Sequence, residues 1–330
     1  MRSKRILIVR PDRIGDAVLS TPIPRALKES NKNNFVAVLV RKYTKDIFLN
    51  NPFIDQIISL DDGKSFFQKV KEIRSFNFSH AFNLLPTSTT NYLLFLSGIK
   101  LRIGVGHKFY QSITNTKSVY RRKYIPLRSE ADYCFDMVRK IGIESKELKS
   151  EIFLSNEELE KVQDRKEKLN PENKILIGLH VSSGNSAPNW KPNEYYELYA
   201  KLKSEENVEI IITDNNEIEG FEKSLQPNLN QTLRESLINF ASLDFLFSAS
   251  TGPMHLAAAL GVKTVSLFCP LTACSPILWG PVGNTSYNLL PESDYCKNKC
   301  PGNPKLCSFE GSKKLSASSV FEEIRSIINQ

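Results

Sequence analysis

The chain has 330 residues, of which 41% are hydrophobic and 24% charged, and its formal net charge is +8. This balance is that of a globular protein, and the length suits roughly two domains of ~150 residues, each with its own core. No apolar run reaches the roughly 18–20 residues that span a bilayer. The basic start, Met1 to Arg5, leads into an apolar run broken at once by Arg10, Asp12 and Arg13. A first strand is therefore expected there rather than a signal peptide, and a cytoplasmic location follows, with peripheral contact at a membrane left open.

Residues 6–10 read as a buried strand, 11–15 as a tight loop, and Asp16 as the opening of a helix, a position where aspartate is a favoured cap and the helix dipole favours its ionised form. Strands are expected over 36–40, 56–60, 80–84 and 102–105, with helices over 65–76, 91–97 and 131–141, the last closing a first domain. Between Glu72 and Glu130 there is no carboxylate, while the interval carries Arg74, Lys100, Arg102, Lys108, Lys117, Arg121, Arg122, Lys123 and Arg128. Such a field would attract an anionic surface, at ~1 kcal/mol per basic residue near a lipid, and a plain solvated face is the alternative reading. Nucleic acid is not expected, because no recognised nucleic-acid module accompanies the charge.

Ser155 and Glu158 fit a capping box and Pro171 a helix stop, so 156–173 reads as a charged linker between domains. The second domain restarts with a strand over 175–180, a Ser/Gly loop over 181–186 that can cradle phosphate, and a helix from Asn193. A strand over 208–213, a helix over 232–240, strands over 243–248 and 264–268, and a final helix over 320–328 complete it. That last helix is expected to pack across the seam between domains. Cys296, Cys300 and Cys307 form a C-x3-C-x6-C cluster with no standard zinc spacing; with Cys134, Cys269 and Cys274 they are read as structural thiols, a zinc or iron–sulfur site being the alternative.

The most informative stretch is Ser250-Thr251-Gly252-Pro253-Met254-His255, followed by an alanine-rich run ending at Gly261. It sits where a loop becomes a helix between two strands. Gly252 permits close approach of a ligand, Pro253 suits a first turn, and the amides at the helix start favour an anion. Together with Gly15-Asp16-Ala17-Val18-Leu19-Ser20-Thr21-Pro22, it resembles the motifs of glycosyltransferase family 9, the heptosyltransferase-like enzymes of bacterial lipopolysaccharide assembly.

The resemblance spans essentially the whole chain and implies an α/β architecture, the GT-B fold, with two Rossmann-like domains facing each other across a cleft. Residues 1–155 would bind the acceptor and 174–330 the nucleotide-sugar. It implies Asp16 as the base that deprotonates the acceptor hydroxyl, with no metal and no cofactor. Ser182, Ser183, Lys191, Glu217, Ser250, Thr251, Gly252 and His255 would contact the donor, and Arg10, Arg13 and Arg102 the acceptor. Implied partners are ADP-heptose or a related donor, an anionic glycolipid, and the inner face of the inner membrane.

Two departures stand out. Ser250 occupies the place of a family aspartate that contacts donor sugar hydroxyls, and Pro188 that of a lysine that meets the donor phosphate, with Lys191 a candidate substitute. The alternatives are a degenerate member that binds without turnover and another nucleotide-sugar enzyme, such as an epimerase.

Overall fold

The computed structural model describes residues 3–121, 124–145 and 147–329. The chain divides into two compact units, Met1–Phe153 and Leu154–Gln330.

In the first unit, β1 (Arg5–Val9), β2 (Phe35–Val40), β3 (Gln56–Ser59), β4 (His80–Asn83), β5 (Leu101–Val105) and β6 (Lys117–Val119) form one sheet in the order β3-β2-β1-β4-β5-β6. Every pairing is parallel. A parallel sheet covered on both faces needs strands that are apolar throughout, and Ile6 to Val9 are all at most 1% exposed. The covering elements are α1 (Ile14–Val18), α2 (Pro22–Ser30), α3 (Phe66–Ser75), α4 (Ser88–Leu96), α5 (Phe109–Ile113) and α6 (Glu130–Arg139). Ser65 with Gln68 and Thr87 with Thr90 close capping boxes that start α3 and α4. Leu7, Val9, Leu39, Ala81 and Leu93 share one core. Strand order reverses between β1 and β4, which leaves a crevice at their carboxyl ends, the usual ligand position in such sheets.

The second unit holds α7 (Asn156–Leu169), β7 (Ile175–His180), α8 (Pro192–Lys203), β8 (Val208–Ile212), α9 (Leu233–Ala241), β9 (Phe245–Ala249), α10 (Gly252–Ala259) and β10 (Lys263–Leu267). It continues with α11 (Pro276–Trp279), β11 (Ser286–Leu289), α12 (Tyr295–Asn298) and α13 (Ala317–Ile328). Its sheet, also parallel, runs β11-β10-β9-β7-β8. The reversal here lies between β7 and β9. Trp190, Tyr195 and Phe247 pack at the centre of this unit's core, and the indole N–H of Trp190 donates to the Leu315 carbonyl at 2.9 Å.

Three expectations are corrected. The helix expected within 156–173 is α7, but it belongs to the second unit rather than linking the two: Arg234 pairs with Glu158 at 2.5 Å and Lys166 with Asp244 at 2.7 Å. The Ser155–Glu158 capping box does start it. The final helix packs on α8 within its own unit, burying Val320, Ile324 and Ile327 there. Asp16 does not open a helix: Arg13 holds the N-cap position of the five-residue α1, and Asp16 lies inside the first turn.

Candidate functional site

The first crevice is organised by Arg10, the residue after β1. Its side chain is 3% exposed, too apolar a setting for an unpaired guanidinium. Nη2 lies 2.7 Å from Asp16 Oδ1 and 3.3 Å from Glu130 Oε1, while Nε donates to the Asp16 carbonyl at 3.1 Å and Nη1 to the Leu84 carbonyl, after β4, at 3.4 Å. Glu130, in the first turn of α6, accepts Arg121 Nη1 on its other oxygen at 2.6 Å. Burial of the Asp16 carboxyl outweighs the Arg10 charge and pushes it up to about 6, with Asp12 and Glu130 adding to the rise. At neutral pH Asp16 is therefore mainly ionised, as expected of a helix-start aspartate. One short turn of helix supplies too little dipole to offset the burial, and the result is a carboxylate poised near neutrality.

The expected acceptor contacts are placed differently from one another. Arg13 is exposed at the rim of this loop. Arg10 is committed to the carboxylates just described. Arg102 points inward: Nε donates to the Thr114 carbonyl at 3.1 Å, Nη2 to the same oxygen, and Nη1 to the Ile99 carbonyl. Its guanidinium ties α5 to the chain before β5 and is not presented to a ligand. We expect Arg102→Met to destabilise the protein by about 1–3 kcal/mol in denaturant unfolding, because it orphans two buried carbonyls, while acceptor KM is unchanged. Weaker acceptor binding with native stability would restore Arg102 as a contact.

The cationic field is also smaller than composition suggested. Arg121 pairs with Glu130, and Arg128 with Asp132 at 2.7 Å and Asp136 at 2.6 Å. Lys100, Lys108 and Lys117 are exposed. Arg122 and Lys123 lie outside the described residues.

In the second unit the Ser/Gly loop after β7 is anchored by a residue the sequence reading passed over. Asp214, 1% exposed at the carboxyl end of β8, accepts the N–H of Val181 and of Ser182, both at 2.8 Å. His180 lies alongside, with Nδ1 3.1 Å from Thr213 Oγ1 and Nε2 3.5 Å from Asp214, and burial pushes its pKa down. The readable signal was an acid directly after an apolar strand, where a parallel sheet places its functional loops.

A pocket of about 630 Å³ opens beside this loop, within the usual size of a small-molecule site. Four expected donor contacts, Ser182, Ser183, Lys191 and Glu217, line it together, joined by Tyr196 and by Leu306 from the cysteine-rich loop. Lys191 is paired with Glu310 at 2.6 Å and Glu217 with Lys223 at 3.1 Å, all four side chains being solvent-exposed. A ligand phosphate would compete with Glu310 for Lys191.

Ser250, Thr251, Gly252 and His255 are not on that pocket's wall but at the end of the adjacent β9. Thr251 is the N-cap of α10 and makes no side-chain capping bond. Its own N–H is spent on the Ala249 carbonyl at 2.8 Å, so the amides that helix geometry leaves without an intrahelical partner begin at Gly252 rather than Thr251. His255 is 4% exposed, its Nδ1 has no hydrogen-bond partner, and burial lowers its pKa to about 4. It is neutral at physiological pH and can act through one ring nitrogen, not as a cation.

The thiols of Cys269, Cys274, Cys296, Cys300 and Cys307 interact in a chain around Tyr295. Among the described residues no group of three or more His, Cys, Asp or Glu is arranged to hold a metal ion. Among the same residues no helix is long and apolar enough to cross a membrane.

Two parallel sheets with covering helices, each with a strand-order reversal, give an α/β architecture that matches the GT-B heptosyltransferases. The model of glycosyltransferase family 9 (heptosyltransferase) matches residues 68–305, and the chain belongs to that family. A Haemophilus influenzae protein, described without proof of activity as a glycosyltransferase, is 27% identical over 311 residues, covering 87% of this chain and 88% of that one. Lipopolysaccharide heptosyltransferase 1 of Campylobacter coli is 26% identical over 302 residues, covering 80% of this chain and 83% of its own length. Among solved structures, Escherichia coli ADP-heptose lipopolysaccharide heptosyltransferase II shares the fold with a TM-score of 0.75 at 15% identity, 99% of each chain being covered.

Proposed function

We propose that the protein is an inverting, metal-independent glycosyltransferase that moves heptose or a related sugar from a nucleotide-sugar to a lipopolysaccharide-core or similar glycolipid acceptor. The observation that carries this reading is the Asp16 carboxylate, placed at the switch point of the first sheet and raised by burial to about 6. Such a group is mainly ionised at pH 7 yet basic enough to take a proton from an attacking hydroxyl.

The first unit is the acceptor domain in this reading and the second the donor domain. Ser182, Ser183, Lys191 and Glu217 hold the nucleotide. The α10 amides from Gly252 and Met254, with neutral His255, take the charge that develops on the departing diphosphate. ADP-heptose is the reference donor, since a structural neighbour is named for it. The exposed Phe109, Ile113 and Ile125, interspersed with Lys108 and Lys117, are the surface proposed to rest on the inner face of the inner membrane.

Ser250 and Pro188 favour a second reading, a member that binds donor without turnover. The test is a panel of nucleotide-sugars ranked by protection against thermal unfolding, followed by donor competition on wild type, Ser250→Asp, and Ser250→Asp with Pro188→Lys. If Ser250 marks a different donor, Ser250→Asp is expected to improve use of ADP-heptose and impair the native donor, since a carboxylate accepts two hydroxyl bonds where serine offers one weaker contact. A wild type that already prefers ADP-heptose, made worse by Ser250→Asp, removes Ser250 as a specificity switch. A wild type that is protected by a donor yet transfers nothing favours binding without turnover.

A further inference from the structure

Glu130 takes no part in the reaction as proposed, yet its carboxylate, 4% exposed, lies among charges that bear on the base. Arg10 Nη2 is a single nitrogen serving two carboxylates, Asp16 at 2.7 Å and Glu130 at 3.3 Å. Glu130 is in turn held from its other side by Arg121 at 2.6 Å. We propose that Glu130 is a positioning residue that sets how tightly Arg10 holds Asp16, and so how readily Asp16 accepts a proton. The proposal rests on Asp16 being the base.

Of the other groups facing Asp16, Glu130 is the one that shares Arg10 Nη2 with it. From its own loop come Asp12, which raises Asp16 more than Glu130 does and pairs with Arg10 Nε at 3.6 Å, and the exposed Arg13, whose opposing effect is smaller than either. Tyr43, near Arg41, donates its hydroxyl to the Asp12 carbonyl at 2.6 Å, and its pKa lies above the ordinary value, so it is neutral. From α6 come Glu130 and Cys134, whose thiol is pushed up to about 12 by burial and contributes no charge at working pH. Glu130 thus acts twice on Asp16: it is a further negative charge, and it competes for a guanidinium that Asp16 otherwise shares only with Asp12, whose Oδ2 lies 3.6 Å from Arg10 Nε.

Opposite substitutions must then move Asp16 in opposite directions. Glu130→Gln removes the charge and lets Arg10 settle on Asp16, shifting the Asp16 titration down by roughly one pH unit. Arg121→Gln leaves Arg10 as the one cation for Glu130, drawing it from Asp16 and shifting the titration up. The measurement is the carboxyl carbon-13 signal of aspartate-labelled full-length protein against pH, with the Asp16 signal assigned by its loss in Asp16→Asn; it needs neither donor nor acceptor. The acidic limb of kcat/KM is expected to follow the same two shifts.

Glu130→Asp keeps the charge and is expected to restore most of the wild-type titration. Unmoved titration in both variants, or movement in the same direction, overturns the proposal, since a purely structural Glu130 gives no sign reversal. If Glu130→Gln does not fold, the upward shift in Arg121→Gln decides alone, and its absence is fatal. Failure of the underlying reading shows separately, as an Asp16→Asn enzyme that still transfers sugar while the titration shifts persist.

Discussion

Asp16→Asn is expected to lower kcat by about 10³-fold, within the range that a positioned general base contributes, while the donor dissociation constant stays within about threefold. The amide preserves shape, and its oxygen can still accept Arg10 Nη2, which lies 2.7 Å from the Asp16 carboxylate oxygen in the native protein. The pH dependence follows from the direction of the shift. Burial raises the Asp16 pKa to about 6, so the competent, ionised base predominates above that pH and is lost below it. Wild-type kcat/KM should therefore fall about tenfold per unit as pH drops below ~6, and the residual activity of Asp16→Asn should lack this limb. Single-turnover kinetics with calorimetric donor titration check both halves. Equal loss of donor affinity and of kcat would mean that Asp16 belongs to donor binding or to folding rather than to proton transfer.

Asp214→Asn is expected to have the second largest effect, of a different kind. The native carboxylate accepts two buried backbone donors, Val181 N–H and Ser182 N–H, and an amide turns one acceptor into a donor that faces a donor. Losing a hydrogen bond to a charged group and leaving an amide unsatisfied costs about 3 kcal/mol. Since these bonds fix the first residues of the loop that lines the pocket, much of that cost should appear in donor affinity, as a loss approaching 100-fold. Glu217→Gln is the contrast: exposed and paired with Lys223, it should change stability by less than about 0.5 kcal/mol. Calorimetric binding and denaturant unfolding on the two variants separate them. Native donor affinity in Asp214→Asn would show that the loop does not depend on this anchor.

Local pattern determined the order of the main elements of both sheets, because strands buried on both faces are apolar runs, and turn and capping residues mark their ends, as Ser65, Thr87 and Ser155 do. It did not disclose β6 or β11, three and four residues long with polar members, too short for any periodicity. The helix start at Gly252 and the loop residues Ser182 and Ser183 were legible from a strand end and a Gly-rich turn, whereas Lys191 and Glu217 were implied only by the family resemblance. What the charge of a side chain does was not. Arg102, Lys117 and Arg128 look alike in sequence, yet one is wholly occupied by carbonyls, one exposed and one paired with two aspartates. Only the packed structure brings Glu130 and Arg121 to Arg10 across more than a hundred residues, and only burial decides that Asp16 sits near neutrality rather than fully ionised and that His255 is neutral. Desolvation and the pairing of charges are properties of a site's surroundings, and those are assembled by contacts distant in the chain.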